Sequence, residues 1–159
     1  MQVRTFTVGN FQVNTYLLTD EATGASAIVD TGETDELVRR LQAIDPPPDI
    51  QMILLTHTHL DHAGALSMLQ EVWNVPTYCP RDDEPLFVTL PMQGTMFGMP
   101  DLNRPCGRID HWIGDGATVQ LGETTLRFLS TPGHTPGQGC WHDDEHILVG
   151  DTLFSGSIG

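Results

Sequence analysis

The sequence predicts an α/β fold in which two β-sheets face one another. In the first half, short runs rich in β-branched and aromatic residues alternate with segments of helical periodicity. The second half returns to strand patterns, and each half ends in a loop that carries histidine or aspartate after an apolar run. The length of 159 residues fits a single domain, residues 1–159, with its own hydrophobic core.

The chain begins with a predicted antiparallel hairpin. Residues 2–8 and 12–19 are rich in Val, Thr, Phe, Tyr and Leu, and Gly9-Asn10 supplies a turn signal between them. Residues 26–30 (SAIVD) follow another turn and are expected to add a third short strand. These runs predict the first three strands of one sheet.

Helix and strand patterns then alternate. Apolar residues at helical spacing predict a helix over residues 33–43, with Thr34 as its N-cap and Pro46-Pro47-Pro48 preventing its continuation. The apolar run 51–55 is typical of a buried strand, and a second helical pattern occupies residues 66–73. Alternation of this kind is typical of α/β folds with a parallel sheet.

The remaining part of the chain has weaker helical patterns. Arg81–Leu90 is predicted to form a short helix, and Met92–Pro105 is predicted to be a loop that could lie over the functional site. A Gly122-Glu123 turn between two strand patterns indicates a second hairpin. The predicted strands of the second half are 117–121, 124–130, 139–142 and 146–150.

Charge excludes some classes of partner. The chain has 21 acidic and 7 basic residues, a formal net charge of −14. Nucleic-acid binding requires clustered Lys and Arg, so nucleic acids and anionic membrane surfaces are not expected as partners. An anionic small substrate stays open, because a bound divalent cation dominates the electric field near it.

The sequence also predicts a cytoplasmic location. The first residues alternate polar and apolar side chains and lack the apolar segment of a signal peptide. No stretch approaches the roughly 20 apolar residues of a membrane span. The three cysteines, Cys79, Cys106 and Cys140, are far apart, and we expect free thiols.

The strongest chemical signal is a cluster of His57, His59, Asp61 and His62 directly after the predicted strand 51–55. In an extended segment, side chains two residues apart point the same way, so His57 and His59 can bind one metal ion together. Asp61 and His62 can turn toward a second position. Imidazole nitrogen and carboxylate oxygen are natural ligands of Zn²⁺, Fe²⁺ or Mn²⁺. The alternative is a set of surface histidines in Asp-containing turns.

Two later residues are candidates to complete this cluster. His134 lies in Thr-Pro-Gly-His-Thr-Pro-Gly, where two prolines and two glycines restrain an irregular loop. Asp151 follows the apolar run 146–149 and Gly150. Taken alone, His134 could merely fill a turn and Asp151 could cap a helix. Together with the first cluster, both are predicted metal ligands.

The segments THTHLDH (56–62), TPGHTPG (131–137) and GDTLFSGSIG (150–159) resemble the metal-binding motifs of the metallo-β-lactamase superfamily. The nearest resemblance is to its glyoxalase II-like branch, the hydroxyacylglutathione hydrolases and their relatives. The resemblance implies an αββα sandwich with the metals at one edge. Chains of this family continue further, so the sandwich is expected to be truncated at the C-terminus, with an incomplete second half.

The resemblance also implies a role for each ligand. His57, His59 and His134 would form the first metal site, Asp61 and His62 would belong to the second, and Asp151 would bridge the two. The family's last histidine, which completes the second site, has no counterpart before Gly159. His111, His142 and His146 are not obvious substitutes for it.

The expected activity is that of a metal-dependent hydrolase. One or two ions, Zn²⁺ with Fe or Mn as alternatives, would generate hydroxide at neutral pH and polarise a carbonyl, and Asp61 would orient the attacking hydroxide. A thiolate leaves without a proton donor, which favours a small-molecule thioester such as an S-acylglutathione as substrate.

The alternatives are a mononuclear iron persulfide dioxygenase using His57, His134 and Asp151, or a truncated metal-binding domain without activity. A second copy of the chain could cover the open face of the sandwich.

Overall fold

The structure is a computed structural model that describes all residues from Met1 to Gly159, and it contains two large sheets and four α-helices. Single short 3-10 turns occur at Arg81–Asp83, Pro100–Leu102 and Gly150–Thr152. The helices are α1 (Glu36–Gln42), α2 (Leu60–Ala63), α3 (Leu66–Val72) and α4 (Glu84–Met96). The strands are β1 (Gln2–Val8), β2 (Val13–Thr19), β3 (Ala25–Val29), β4 (Asp49–Leu54), β5 (Thr77–Pro80), β6 (His111–Ile113), β7 (Thr118–Leu121), β8 (Thr124–Ser130), β9 (Gly139–His142), β10 (Ile147–Leu148), β11 (Leu153–Phe154) and β12 (Ser157–Ile158).

The first sheet has six strands in the order β1-β2-β3-β4-β5-β6. β1 and β2 form the predicted antiparallel hairpin, in which Val8 pairs with Val13 beside the turn. β2 pairs antiparallel with β3, whereas β3, β4, β5 and β6 run parallel to one another. The parallel half therefore collects the carboxyl ends of four strands at one edge of the sheet.

The second sheet has four antiparallel strands in the order β10-β9-β8-β7. Its predicted hairpin is present, with Leu121 paired to Thr124 across the turn. β9 and β10 flank a turn at residues 143–146, and β10 is shorter than the predicted strand 146–150. The pair β11 and β12 forms a separate small hairpin near the last residue.

The molecule has three layers, which are the helices, the first sheet and the second sheet. A hydrophobic core lies between each pair of adjacent layers. One core lies between the sheets and includes Leu54, Phe128 and Trp141; the other lies between the first sheet and the helices and includes Ile53, Leu41 and Leu66. Facing sheets confirm the predicted architecture, although no helix covers the outer face of the second sheet. None of the helices is long and apolar enough to cross a membrane.

The first helix begins later than the sequence predicts. α1 begins at Glu36, so the predicted start at residue 33 is wrong. Asp35 occupies the N-cap position without a side-chain hydrogen bond, and the hydroxyl of Thr34, the predicted N-cap, accepts a hydrogen bond from the N–H of Glu36 at 3.3 Å. The reason for the later start is Glu33, whose fully buried carboxylate accepts a hydrogen bond from the backbone N–H of Asn10 in the β1–β2 turn. That contact fixes residue 33 outside the helix.

The predicted loop at Met92–Pro105 is also wrong in its first part, because α4 continues to Met96 through Pro91. Proline lacks the N–H that would donate to the carbonyl of the residue four positions earlier, here Phe87. The thiol of Cys106, a free cysteine, lies 3.3 Å from that carbonyl oxygen and donates to it instead. A side chain distant in sequence thus supports the helix, which no local pattern could show.

Candidate metal centre

The predicted site residues lie at the edge of the first sheet where its parallel strands end. Asp30 directly follows β3, and the loop that begins at Leu55 and contains His57 and His59 follows β4. His134 and Asp151 reach the same place from loops that follow β8 and β10 of the second sheet. In open α/β sheets, ligands bind at the carboxyl ends of the strands.

The first loop changes conformation within the motif. His59 has extended backbone angles (φ −69°, ψ 156°) and is the N-cap of α2, whereas Asp61 and His62 lie inside this short helix. The sequence predicted an extended segment for His57 and His59, and the structure adds a helical turn after it. The turn directs His62 toward a second position, separate from that of His59.

Three imidazoles converge on one point, and we call them the three-histidine group: His57, His59 and His134. His57 Nε2 lies 3.2 Å from His59 Nδ1, which lies 2.9 Å from His134 Nε2. Two nitrogen ligands of a tetrahedral Zn²⁺ are expected about 3.3 Å apart, given metal–nitrogen bonds of about 2.0–2.1 Å. The spacing is therefore close to that of a three-histidine metal site.

The environment favours the neutral form of His57 and His59. Burial lowers the pKa of His57 well below its ordinary value, and the neighbouring His62, His59 and His134 lower it further. Burial and His134 likewise lower the pKa of His59. A neutral imidazole offers a free lone pair, which is the form that binds a metal ion.

A second set, the His–Asp group, consists of His57, His62 and Asp151. His62 Nε2 lies 3.1 Å from Asp151 Oδ1, and the other carboxylate oxygen of Asp151 lies 3.2 Å from His134 Nε2. The carboxylate of Asp151 therefore lies between the two groups. Asp61 lies at the margin, with its Oδ2 3.5 Å from His62 Nε2.

Burial would raise the pKa of Asp151, but the adjacent His62, His134 and His59 lower it below the ordinary value. The carboxylate is therefore ionised at neutral pH. An ionised carboxylate between two sets of imidazole nitrogens is suited to contact two cations at once.

Asp30 orients His62 and was not recognised in the sequence. Its fully buried carboxylate accepts hydrogen bonds from the backbone N–H and hydroxyl of Thr56, both at 2.8 Å, and from His62 Nδ1, also at 2.8 Å. With Nδ1 occupied, the other ring nitrogen faces Asp151. The position of Asp30 at the end of an apolar strand is the same signal that identified Asp151.

The donor atoms fit a metal ion. His62 Nε2 is buried and makes no hydrogen bond, although two carboxylates lie near it. Burial alone would lower the pKa of His62, but Asp30 and Asp151 raise it to about 10, so positive charge is strongly favoured at this nitrogen. A metal ion can take the place of that proton. Nitrogen and carboxylate oxygen donors suit zinc, iron and manganese.

Gly150 allows Asp151 to approach the first loop. Its φ is +50°, and an added Cβ would lie 2.5 Å from Thr56 Oγ1 and 2.9 Å from Gln138 Nε2. Both contacts are too close for any side chain, so only glycine fits here. The close approach brings the end of the second sheet against the loop that carries His57.

A cavity of about 440 Å³ opens beside the His–Asp group. Its walls come from the β1–β2 turn, from β2, from α2 and from residues 149–155, and no Lys or Arg lines it. The lining residues include Tyr16, Asp61, His62 and Asp151. The cavity gives a small molecule access to His62 and Asp151 of the His–Asp group.

The remaining histidines lie elsewhere. His111 of β6 stacks on Tyr78 of β5, with ring centroids 4.5 Å apart. His142 and His146 flank the turn between β9 and β10, where each contacts Asp143. None of them belongs to a ligand group.

Two facing sheets with histidine and aspartate donors at one edge are typical of a class of metal-binding proteins. Comparison with known protein families identifies that class. Residues 8–159 match the family described as the Metallo-beta-lactamase superfamily. The chain belongs to this superfamily.

Individual relatives align with the chain over its whole length. It is 33% identical to hydroxyacylglutathione hydrolase GloC of Haemophilus influenzae over 100% of its length and 75% of that protein. It is 31% identical to the probable metallo-hydrolase YqgX of Bacillus subtilis, covering 74% of that protein. Among solved structures, TTHA1623 in a di-iron-bound form has a TM-score of 0.83 and 29% identity, over 99% of this chain and 76% of that one. The chain spans about three quarters of their length.

Proposed function

We propose that this protein is a metal-dependent hydrolase that cleaves a small thioester, such as an S-acylglutathione. The observation that carries the proposal is the convergence of the three-histidine group and the His–Asp group, the second of which lines a cavity. The similarity to a protein named hydroxyacylglutathione hydrolase supports the choice of substrate. We propose Zn²⁺ as the metal, with iron as the alternative that the di-iron form of TTHA1623 favours.

Each ligand residue has a proposed role. His57, His59 and His134 would hold one ion through their ring nitrogens, and His62 with Asp61 would hold a second, with Asp151 between the two. When bound, such ions lower the pKa of a water molecule and polarise a carbonyl group. The carboxylate of Asp61, which is 24% exposed toward the cavity, would orient the attacking water by accepting a hydrogen bond from it.

The cavity favours a substrate whose leaving group needs no proton. Outside the ligand residues, its titratable side chain is Tyr16, whose pKa is raised by burial and by Asp30. A phenol with a raised pKa is a weak acid, so it would serve an amine leaving group poorly. A thiolate departs without protonation, which supports a thioester over an amide.

The test is the release of free thiol from S-lactoylglutathione by the zinc-loaded protein. We expect turnover by the native chain and by His142→Ala, whose altered side chain lies at the turn between β9 and β10. We expect none from His57→Ala, which removes the residue shared by both ligand groups. Full metal content without thiol release would refute the proposal.

A second candidate is a mononuclear iron dioxygenase that acts on a persulfide. It would need His57, His134 and Asp151, a set of two histidines and one carboxylate. The contact of 3.2 Å between His134 Nε2 and Asp151 Oδ2 supports it, because these two ligands also converge. Oxygen uptake with glutathione persulfide by the iron-loaded chain would select this function. Bound metal without either activity would identify a metal-binding domain.

A further inference from the structure

We propose that Asp83 is a positioning residue that holds the loop of His57 and His59 against the loop of His134, and so sets the metal affinity of the three-histidine group. The inference rests on the metal site of the proposed function. Asp83 belongs to neither ligand group, and its side chain is fully buried behind the site.

Both oxygens of the Asp83 carboxylate accept hydrogen bonds. Oδ2 accepts from the backbone N–H of Thr58 at 2.9 Å and from the hydroxyl of Thr135 at 3.0 Å, while Oδ1 accepts from the N–H of Gly137 at 2.7 Å. Thr58 lies between His57 and His59, and Thr135 directly follows His134. One carboxylate thus joins the two loops that supply all three imidazoles.

The local packing is built for this contact. A Cβ at residue 137 would lie 2.7 Å from the backbone nitrogen of Asp83 and 2.8 Å from its Cγ, so only glycine permits the approach. Hydrogen bonds to a carboxylate acceptor are roughly twice as strong as those between neutral groups. Gln93 of α4 supports the same loop from behind, donating from Nε2 to the carbonyl oxygen of Thr58 at 3.2 Å.

The role of Asp83 differs from that of Asp30. Asp30 accepts a hydrogen bond directly from the ring of His62, whereas Asp83 accepts hydrogen bonds from the residues beside the ligands and from no ligand ring. The charge of Asp83 also favours the protonated form of His59 through space, whereas its hydrogen bonds act through the spacing of the two loops, and Thr135→Val below tests the spacing with the charge kept. With donor nitrogens 2.9 and 3.2 Å apart, a small shift of either loop changes how well three nitrogens fit one ion.

The test is the substitution Asp83→Asn, which keeps the size of the side chain. The amide oxygen can accept from Thr58 or from Gly137, but the NH₂ group then faces the other N–H, and one loop loses its anchor. We expect Zn²⁺ to bind about 10- to 100-fold more weakly, measured by competition with a chromophoric chelator. We also expect a changed visible absorption spectrum of the Co²⁺-loaded protein.

The matched control is Asp20→Asn. Asp20 is also buried and accepts hydrogen bonds from Thr23 N–H at 2.9 Å and from the hydroxyls of Thr23 and Thr124 at 2.7 and 2.8 Å, but it joins the β2–β3 turn to β8. The substitution Asp20→Asn should lower the free energy of unfolding and leave Zn²⁺ affinity and the Co²⁺ spectrum unchanged.

A second variant covers the case in which Asp83→Asn does not fold. Thr135→Val removes one donor to Asp83 at nearly constant volume and should weaken Zn²⁺ binding in the same direction, by a smaller factor. Native Zn²⁺ affinity and an unchanged Co²⁺ spectrum in either folded variant, with only a lower melting temperature, would overturn the inference. If the native chain itself binds no Zn²⁺, the metal centre is refuted and this inference fails with it.

Discussion

His57 belongs to both ligand groups and is fully buried, so its imidazole is the point at which the two groups meet. Substitution His57→Ala should therefore remove metal from the whole site. We expect less than one equivalent of zinc per chain by elemental analysis after dialysis. His142→Ala should keep the native metal content, and equal metal content in the two variants would contradict the assigned ligands.

The pair of His62 and Asp30 predicts how the metal-free protein responds to alkaline pH. The pKa of His62 is about 10 in the folded chain, above the ordinary value for histidine of about 6.5. The folded state therefore binds this proton more tightly than the unfolded state. Its contribution to stability is complete below about pH 6.5 and is lost as the pH rises toward 10.

Removal of the Asp30 charge should reduce the loss of stability at alkaline pH. In Asp30→Asn, the pKa of His62 should fall, because a carboxylate that favours the charged ring is gone. We expect the free energy of unfolding in EDTA to decrease less between about pH 7 and pH 9 in this variant than in the native chain. Asp143→Asn, in the turn between β9 and β10, should follow the native curve. Identical slopes for Asp30→Asn and the native chain would contradict the assignment.

Sequence alone singles out six candidate ligands, but not the residues that hold them in place. His57, His59 and His62 stand out because three histidines lie within six positions, and donor atoms leave a clear signature in the sequence. Asp83 has no such signature, because its partners Thr135 and Gly137 are 52 and 54 residues away along the chain. Contacts between distant segments can be recognised only in the folded chain.

Among the elements, the strands were predicted more accurately than α4. Alternating apolar residues and turn glycines predict β1, β2, β7 and β8 almost to the residue. Successive side chains of a strand point to opposite faces of the sheet, so the alternation is visible in the sequence itself. The helix α4 contains Pro91, which locally predicts an end, and its continuation depends on the distant thiol of Cys106. Tertiary support here outweighs local preference.

Substitution of Pro91 provides a test of that explanation. Pro91→Ala restores an N–H for the Phe87 carbonyl and removes the ring, a gain of up to about 3 kcal/mol in a helix interior. The greater freedom of the unfolded chain offsets up to about 1 kcal/mol of this gain. We expect the free energy of unfolding, from urea titration, to rise by about 2 kcal/mol.

Pro85→Ala is the matched control within the same helix. Pro85 is the second residue of α4, in the first turn, where backbone N–H groups have no helical partner and proline is tolerated. This variant should show no gain in stability. A similar rise for both substitutions, or a loss for Pro91→Ala, would show that Pro91 does not strain the helix.

For the molecule as a whole, the ligand residues connect its two sheets. His57 follows a strand of the first sheet, whereas His134 and Asp151 follow strands of the second. A bound ion should therefore stabilise the entire fold. At a free metal concentration of 100 times the Kd, the gain is about 2.7 kcal/mol. For a chain of this size, that corresponds to a rise in Tm of about 5–10 °C.

Thermal unfolding with Zn²⁺ and with EDTA measures this effect. The native chain should unfold at a higher temperature with Zn²⁺, and His57→Ala should unfold at the same temperature in both conditions. An equal rise in the native chain and in His57→Ala would indicate binding outside the ligand groups.

The distance along the chain between the ligands also determines when the site forms during folding. His59 and His134 are 75 residues apart, and their ring nitrogens meet only after β3, β4 and the second sheet have packed together. Closing so long a loop is entropically costly, so contacts of this kind form late. We expect partly folded chains to have no high-affinity site, and the appearance of tight metal binding in a refolding experiment should coincide with the last kinetic phase.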